Sequence, residues 1–288
     1  MRTWRSIIWL FVLSTTTLLD VMPTAAEGAK LDVDLKLILA VDVSDSMSRE
    51  ELQLQREGYV STFRDPRVAR AIASGEFGRI AVLYLEWAGP DHHHVVRPWT
   101  VLTTLKDTGA FADLLAMEPI ATDSSMSNRA MSFGKSLDQA PIATATATSI
   151  SAALLFALEK FSDRRFRGDR QVVDVSGNGT NNAGPSLAPV RDLLVSEGIV
   201  INGLPITRST GDNDSRTSFG KTFLERYYEA CVIGGPGAFS IAVNDILRFE
   251  EAVHRKLLTE IADRAIAIKL ASFEPLVQTQ ADCTVSAS

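Results

Sequence analysis

The chain is poor in the residues that most reaction chemistries need. Its 288 residues include only four histidines and two cysteines. No Gly-x-Ser-x-Gly turn exists to hold an acyl-transfer serine. The short glycine run Gly177-x-Gly179 lacks the third glycine of a dinucleotide-binding loop, because Asn182 stands at that place. Positive charge is not in excess: 29 Lys and Arg against 35 Asp and Glu give a formal charge of -6. That balance argues against nucleic acid or anionic lipid as the partner.

A long apolar run is also missing. The run near the start, Ser6-Ile7-Ile8-Trp9-Leu10-Phe11-Val12-Leu13, falls short of the roughly 20 residues that span a bilayer and is interrupted from Ser14 to Thr17. It follows the basic start Met1-Arg2-Thr3-Trp4-Arg5 and precedes the small-residue exit Pro23-Thr24-Ala25-Ala26, the order of a secretory signal peptide over residues 1–26. The mature chain is then expected in the periplasm or outside the cell, with no membrane span. Losing residues 1–26 removes two arginines and one aspartate, so the charge of -6 becomes -7. In an oxidising compartment the pair Cys231 and Cys283 points to a disulfide that ties the tail to the domain; two buried thiols are the alternative.

What is present has the composition and length of a globular domain with a sizeable core, 45% hydrophobic and 22% charged. Leu35 to Val41 is a near-continuous apolar run, the pattern of a central parallel strand buried on both faces. Ser48 with Glu51 three residues on forms a capping box for the helix that follows, and Asp65-Pro66 ends or bends that helix. Ile80–Trp87 reads as a strand, and a turn at Gly89-Pro90-Asp91 sends a second strand, His94–Val101, back along the sheet edge. Further along, the pattern predicts helices over Phe111–Met117, Thr148–Phe161, Ser186–Glu197 and Asp245–Ala262. Strands are predicted over Gln171–Val175 and Val200–Ile206, with a last edge strand over Ile266–Phe273. Residues Ile120–Thr146 and Thr210–Ser218 read as loops. This alternation implies an α/β domain over residues 30–273, doubly wound, with a mainly parallel sheet, helices on both faces and one antiparallel edge strand. Residues 274–288 form a tail.

Ligands of open parallel sheets bind outside the carboxyl ends of the strands. Asp42, Ser44 and Ser46 follow the first strand at alternate positions, and one carboxylate with two hydroxyls suits a hard divalent cation. The same residues could instead be a polar loop that caps the next helix. Thr148 opens a helix, where a hydroxyl is commonly an N-cap, and Val173-Asp174-Val175-Ser176-Gly177-Asn178-Gly179 runs from a strand into a turn. Asp174 lies inside that strand, so its side chain is expected to project from the sheet face. In the triplet His92-His93-His94, alternation places only two imidazoles on one face, and an exposed polar turn is the simpler reading. His254 sits inside the C-terminal helix as a partly buried residue.

Together these loops resemble the von Willebrand factor A fold with its metal-ion-dependent adhesion site. The nearer resemblance is to a bacterial family of exported proteins catalogued as a domain of unknown function. It is carried by Ala40-Val41-Asp42-Val43-Ser44-Asp45-Ser46-Met47, Val173-Asp174-Val175-Ser176-Gly177, Asn181-Asn182 and Gly234-Gly235-Pro236-Gly237-Ala238-Phe239. The resemblance implies Asp42, Ser44 and Ser46 as first-loop ligands, Thr148 as the second-loop ligand, and a coordination position left for an acidic residue of a protein partner. Where the family pattern has a second aspartate, this chain has Asn178, so the site carries one negative charge fewer and binding of Mg²⁺, or Mn²⁺, is expected to be weak or absent. The function implied is recognition of a protein partner, not catalysis. A metal-free scaffold using another face is the alternative, followed by a metal-dependent phosphohydrolase, which would need a positioned base that the sequence lacks. A haloacid-dehalogenase-type phosphatase is excluded because Ser44 stands where its second aspartate belongs.

Overall fold

A computed structural model describes residues 30–120, 147–207, 221–243, 245–262 and 283. The signal peptide expected over 1–26, the loops expected over 120–146 and 210–218, the edge strand expected over 266–273 and the tail expected over 274–288 all lie outside the described residues, apart from Ile120 and Cys283.

Strand β2 (Leu35–Asp42) is buried along its whole length. It pairs in parallel with β3 (Ile80–Trp87) on one side and β6 (Gln171–Gly177) on the other. Beyond β6 lies β7 (Ile199–Pro205), also parallel, and beyond β3 the antiparallel β4 (His93–Leu102), so the order is β4-β3-β2-β6-β7. Among the described residues this is the expected mainly parallel sheet, with one antiparallel strand at its edge. Two three-residue strands, β1 (Leu31–Val33) and β5 (Phe166–Gly168), form a separate parallel pair that no periodicity announces.

Because successive side chains point to opposite faces of a strand, β2 divides the core. Leu35, Leu37, Leu39 and Val41 pack toward α1 (Arg49–Arg64), α2 (Pro66–Ala73), α3 (Leu105–Met117) and α7 (Phe249–Ala262). Ile38 and Ala40 pack toward α4 (Ile150–Phe161), α5 (Leu187–Ser196) and the turn Tyr228–Val232 that continues α6 (Lys221–Tyr227). Helices therefore cover both faces, the doubly wound arrangement.

The capping box at Ser48 and Glu51 is formed. Asp65 caps the end of α1 and also the start of α2, with Pro66 at the first position of α2, so that pair bends the chain into a second helix instead of only ending the first. The C-terminal helix expected from Asp245 begins with a tight turn at Ile246–Arg248 before α7 proper.

Both core faces contain polar groups with partners. On the α1 side Arg56 and Glu86 form a buried ion pair, and Arg56 Nη1 also donates to the carbonyls of Leu115 and Glu118, each at 2.8 Å. Asp174 does project from the sheet face, where it meets Lys256 Nζ of α7 at 2.5 Å; the same ammonium lies 2.6 Å from Glu260. Asn202 Nδ2 donates to Glu260 at 2.8 Å. On the other face Lys36 Nζ donates to the carbonyl of Phe161 at 2.8 Å.

Cys231 and Cys283 are joined, as expected, across 52 residues. Cys231 is fully buried in the turn that follows α6, so the bridge fastens the far end of the chain to the core under the sheet. A crosslink of this span stabilises mainly by restricting the unfolded chain, typically by about 2–4 kcal/mol. Cys283→Ser is expected to lower the denaturation free energy by that amount, and thiol counting under denaturing, non-reducing conditions should find no free thiol in the wild type. Two titratable thiols would contradict the bridge.

Candidate metal centre

The sheet reverses its direction of growth between β2 and β6: the chain leaves β2 toward β3 on one side and later returns to β6 on the other. The carboxyl ends of these two neighbours form the crevice in which doubly wound sheets bind ligands. Asp42 is the last residue of β2, not a loop residue as the sequence suggested, and it is fully buried. Its Oδ1 accepts the backbone N–H of Ser44 at 2.8 Å, which folds the chain tightly after the strand. Gln55 Nε2 of α1 donates to the Asp42 carbonyl at 3.0 Å and holds the same turn from beneath.

The hydroxyls of Ser44 and Ser46 lie 2.9 Å apart. Ser46, at the surface, donates to Asn178 Oδ1 at 2.6 Å, and Asn178 Nδ2 donates back to the Ser46 carbonyl at 3.2 Å. Asn178 thus grips the first loop at two points, and its amide makes both bonds because it carries N–H donors and a carbonyl acceptor side by side.

The second loop joins from the side. Thr148 does not cap α4; Ser149 does, accepting from Ala152 N at 3.3 Å. The hydroxyl of Thr148 instead borders the third loop, 3.4 Å from where a Cβ would stand on Gly179. Two asparagines fix it there. Asn182 Oδ1 accepts from Thr148 N at 2.7 Å while Asn182 N donates to Thr148 O at 3.0 Å. Asn181 Oδ1 accepts from Ser151 N at 2.9 Å, and Asn181 N donates to the Tyr227 hydroxyl at 3.1 Å. The structure therefore links Asp42, Ser44, Ser46 and Asn178 in one chain of hydrogen-bond neighbours, with Thr148 beside Gly179 of the same third loop.

Tyr227, Tyr228 and Gln55 are site neighbours that sequence reasoning missed. A Cβ on Gly177 would stand 2.9 Å from Asp42 Oδ2 and 3.0 Å from the Tyr228 hydroxyl, so glycine is required where these two groups approach. Tyr228 is fully buried, and its hydroxyl has no hydrogen-bond partner among the described residues. Burial, reinforced by the negative charge of Asp42, holds that phenol well above its ordinary range and keeps it neutral. The adjacent tyrosines offered a signal in the sequence, but their distance from the loops hid its meaning.

The donor set fits a hard cation. It offers three hydroxyls, an amide and one carboxylate, all oxygen, and the Ser44–Ser46 spacing of 2.9 Å is close to that of neighbouring vertices in an octahedron with bonds of about 2.0–2.1 Å. Among the described residues no group of three or more His, Cys, Asp and Glu could hold a metal, so any cation here relies on hydroxyls. The other candidates lie elsewhere. Asp174 is engaged with Lys256. The histidine triplet is half-buried and not an exposed turn, with His93 stacked on Phe156 of α4 at 4.9 Å. His254 is partly buried in α7, 2.9 Å from Asp65.

The family described as "Protein of unknown function (DUF1194)" matches residues 32–134 and 123–265. The chain belongs to this family. No curated protein matches it. Among solved structures, the pilus adhesin SpaC from Lactobacillus rhamnosus GG is similar at 11% identity and a TM-score of 0.50, over 82% of this chain and 31% of that one. Proximal thread matrix protein 1 from the mussel byssus, described with a zinc-occupied MIDAS motif, is 15% identical with a TM-score of 0.49, over 81% of this chain and 49% of that one. BatB from Bacteroides thetaiotaomicron is 14% identical with a TM-score of 0.43, over 79% of this chain and 98% of that one. The strand order and the likeness to SpaC agree with the von Willebrand factor A-like fold implied by the sequence, and the chain spans about half the length of the mussel protein. No helix of its described residues is long and apolar enough to cross a membrane.

Proposed function

We propose that this DUF1194 protein is an exported binding module that recognises a protein partner through a divalent cation held by Asp42, Ser44, Ser46, Thr148 and Asn178. The observation that carries this reading is the convergence of three loops at the switch point of the sheet, with the Ser44 and Ser46 hydroxyls at 2.9 Å and the Ser46 hydroxyl 2.6 Å from the Asn178 amide oxygen. A bound Mg²⁺ or Mn²⁺ supplies an electron-poor point that an Asp or Glu of the partner can complete. The chain's part is to orient its oxygens: Asp42 sets the turn through Ser44, and Asn182 fixes the Thr148 backbone. With a single carboxylate the cation keeps most of its charge, which favours an anionic partner group and weakens retention of the ion itself. The cluster's carboxylate turns Oδ1 to the Ser44 backbone N–H, and the Ser44 hydroxyl faces that of Ser46, which supports a non-enzymatic reading.

Calorimetric titration with Mg²⁺ and Mn²⁺ tests this. Weak, saturable binding is expected in the wild type. Asn178→Asp adds a negative charge worth on the order of 1–3 kcal/mol at a partly solvated site. It also gives up the bond to the Ser46 carbonyl, about 0.5–1.5 kcal/mol. The net expectation is tightening of roughly tenfold. Unchanged affinity in Asn178→Asp would count against the ligand set.

A second reading, a metal-free scaffold, draws on the same amide, because Asn178 satisfies both the hydroxyl and the carbonyl of Ser46 without a cation. It is the reading that survives if no ion binds. The domain is taken to run over 30–273, with a signal peptide over 1–26 and a tail over 274–288. Intact-mass measurement of protein recovered from its native envelope should find the chain starting after Ala26, and Met1–Ala26 still attached would end the soluble, exported reading.

A further inference from the structure

The dipeptide Asn-Gly occurs twice, at Asn178–Gly179 and Asn202–Gly203. Glycine lacks a Cβ and leaves the backbone free to turn, so its nitrogen reaches the amide carbon of the preceding asparagine more readily than that of any other residue. The fold treats the two sites differently. Asn202 is 2% exposed inside β7, its Nδ2 donates to Glu260 at 2.8 Å and its Oδ1 accepts from Phe239 N at 3.0 Å. Gly203 N is itself committed to the Phe239 carbonyl at 3.0 Å. Bringing Gly203 N against the Asn202 amide would break all three bonds in the core. Asn178 and Gly179 are half-buried in the turn after β6, and no helix or strand spans Gly179. The bonds that hold the Asn178 side chain run to the exposed Ser46, and the shorter one places a hydroxyl proton on the amide oxygen, which makes the amide carbon more electrophilic.

We propose that Asn178–Gly179 is a self-modification site that resets the loop cluster. The Gly179 nitrogen gives up its proton and attacks Asn178 Cγ; the C–N bond to the side-chain nitrogen breaks, and that nitrogen leaves as ammonia. A five-membered succinimide results. Water then opens the ring at one carbonyl to give aspartate, or at the other to give isoaspartate, so the net change is amide plus water to acid plus ammonia. The product cannot donate to the Ser46 carbonyl. It sets a negative oxygen near a carbonyl that the amide now grips, an arrangement that favours a cation between the loops. Conversion thus exchanges an amide latch for one more negative charge at the site; only the consequence for metal binding rests on the reading above.

The test is incubation of the purified, folded chain at mildly alkaline pH, followed by peptide mapping with mass spectrometry, isoaspartate detection and ammonia release. Amide-to-acid exchange is expected at Asn178, faster as pH rises, with Asn202 unchanged. Gly179→Ala should suppress it, and that variant is expected to fold because the nearest atom to a Cβ there, Thr148 Oγ1, lies at 3.4 Å. An Asn178 that stays intact while the denatured chain converts under the same conditions would overturn the proposal, as would equal conversion of Asn202 in the folded chain. Mn²⁺ titration of the converted protein and of Asn178→Asp completes the test, and both are expected to bind more tightly than fresh wild type. If Asn178 converts and neither form binds Mn²⁺, the metal reading falls and the modification site stands. If Asn178→Asp binds Mn²⁺ but the folded chain does not convert, the modification falls and the metal reading stands.

Discussion

Lys256→Met should be the most destabilising single change in the domain, by about 3–5 kcal/mol, because it leaves two buried carboxylates without their cation. Lys256, Asp174 and Glu260 are each 2% exposed or less, and the one ammonium serves both acids at 2.5 and 2.6 Å. The Phe239 ring, 5.3 Å from Nζ, helps to exclude water from the group. Burial, followed by the negative charge of Glu260, pushes the Asp174 carboxyl up to about 7, against the opposing pull of Lys256. An acid whose folded pKa is raised contributes stability that is fully present below its unfolded value, near 3.9, and lost as pH rises toward 7. Wild-type stability at this group should therefore decline between about pH 4 and pH 7, and in Lys256→Met the decline should continue to higher pH because the lowering influence has gone. Denaturant midpoints measured across that range check both statements. A midpoint for Lys256→Met equal to wild type above neutral pH would show that α7 is not tied to β6 through this group.

The second large effect is on binding. Asp42→Ala should reduce Mn²⁺ affinity below detection, because it removes the only carboxylate of the cluster together with the acceptor that sets the Ser44 turn. Unlike a loop residue, Asp42 ends a buried strand, so the substitution also exposes a backbone N–H to an apolar environment and should cost about 1–3 kcal/mol of stability. Asp42→Asn separates the two consequences: an amide oxygen can still accept from Ser44 N, so most of the stability should return while binding stays weak. A stable Asp42→Asn with wild-type affinity would remove Asp42 from the site.

Much of the fold could be read in the residues because local rules and burial agreed. Six consecutive apolar side chains, Ile80 to Leu85, marked β3, Ser48 and Glu51 marked the start of α1, and Gly198 closed α5 by adopting the left-handed conformation that favours glycine. The features that escaped depend on distant partners. Three-residue strands such as β1 and β5 are too short to show a period, and the strand character of Asp42 comes from its pairing with Trp87. Lys256 and Asp174 are 82 positions apart in the chain, so nothing local announced their pairing. The site itself was half legible. Ser44 and Ser46 could be chosen from their spacing, whereas Asn178 looked like a missing charge, and its role as a two-point latch emerged only once the Ser46 carbonyl was placed beside it. Likewise Thr148 resembled a helix cap until Asn182 was seen to hold its backbone and Ser149 to take the cap.

The central claim, that three loops converge on one cation, is tested most directly by anomalous scattering from a crystal soaked in Mn²⁺. The account predicts a single strong peak at the carboxyl ends of β2 and β6, within coordination distance of the Ser44, Ser46 and Thr148 hydroxyls, and no peak there in Asp42→Ala. A wild-type crystal with no peak at those hydroxyls, or with manganese bound only elsewhere on the molecule, would contradict it.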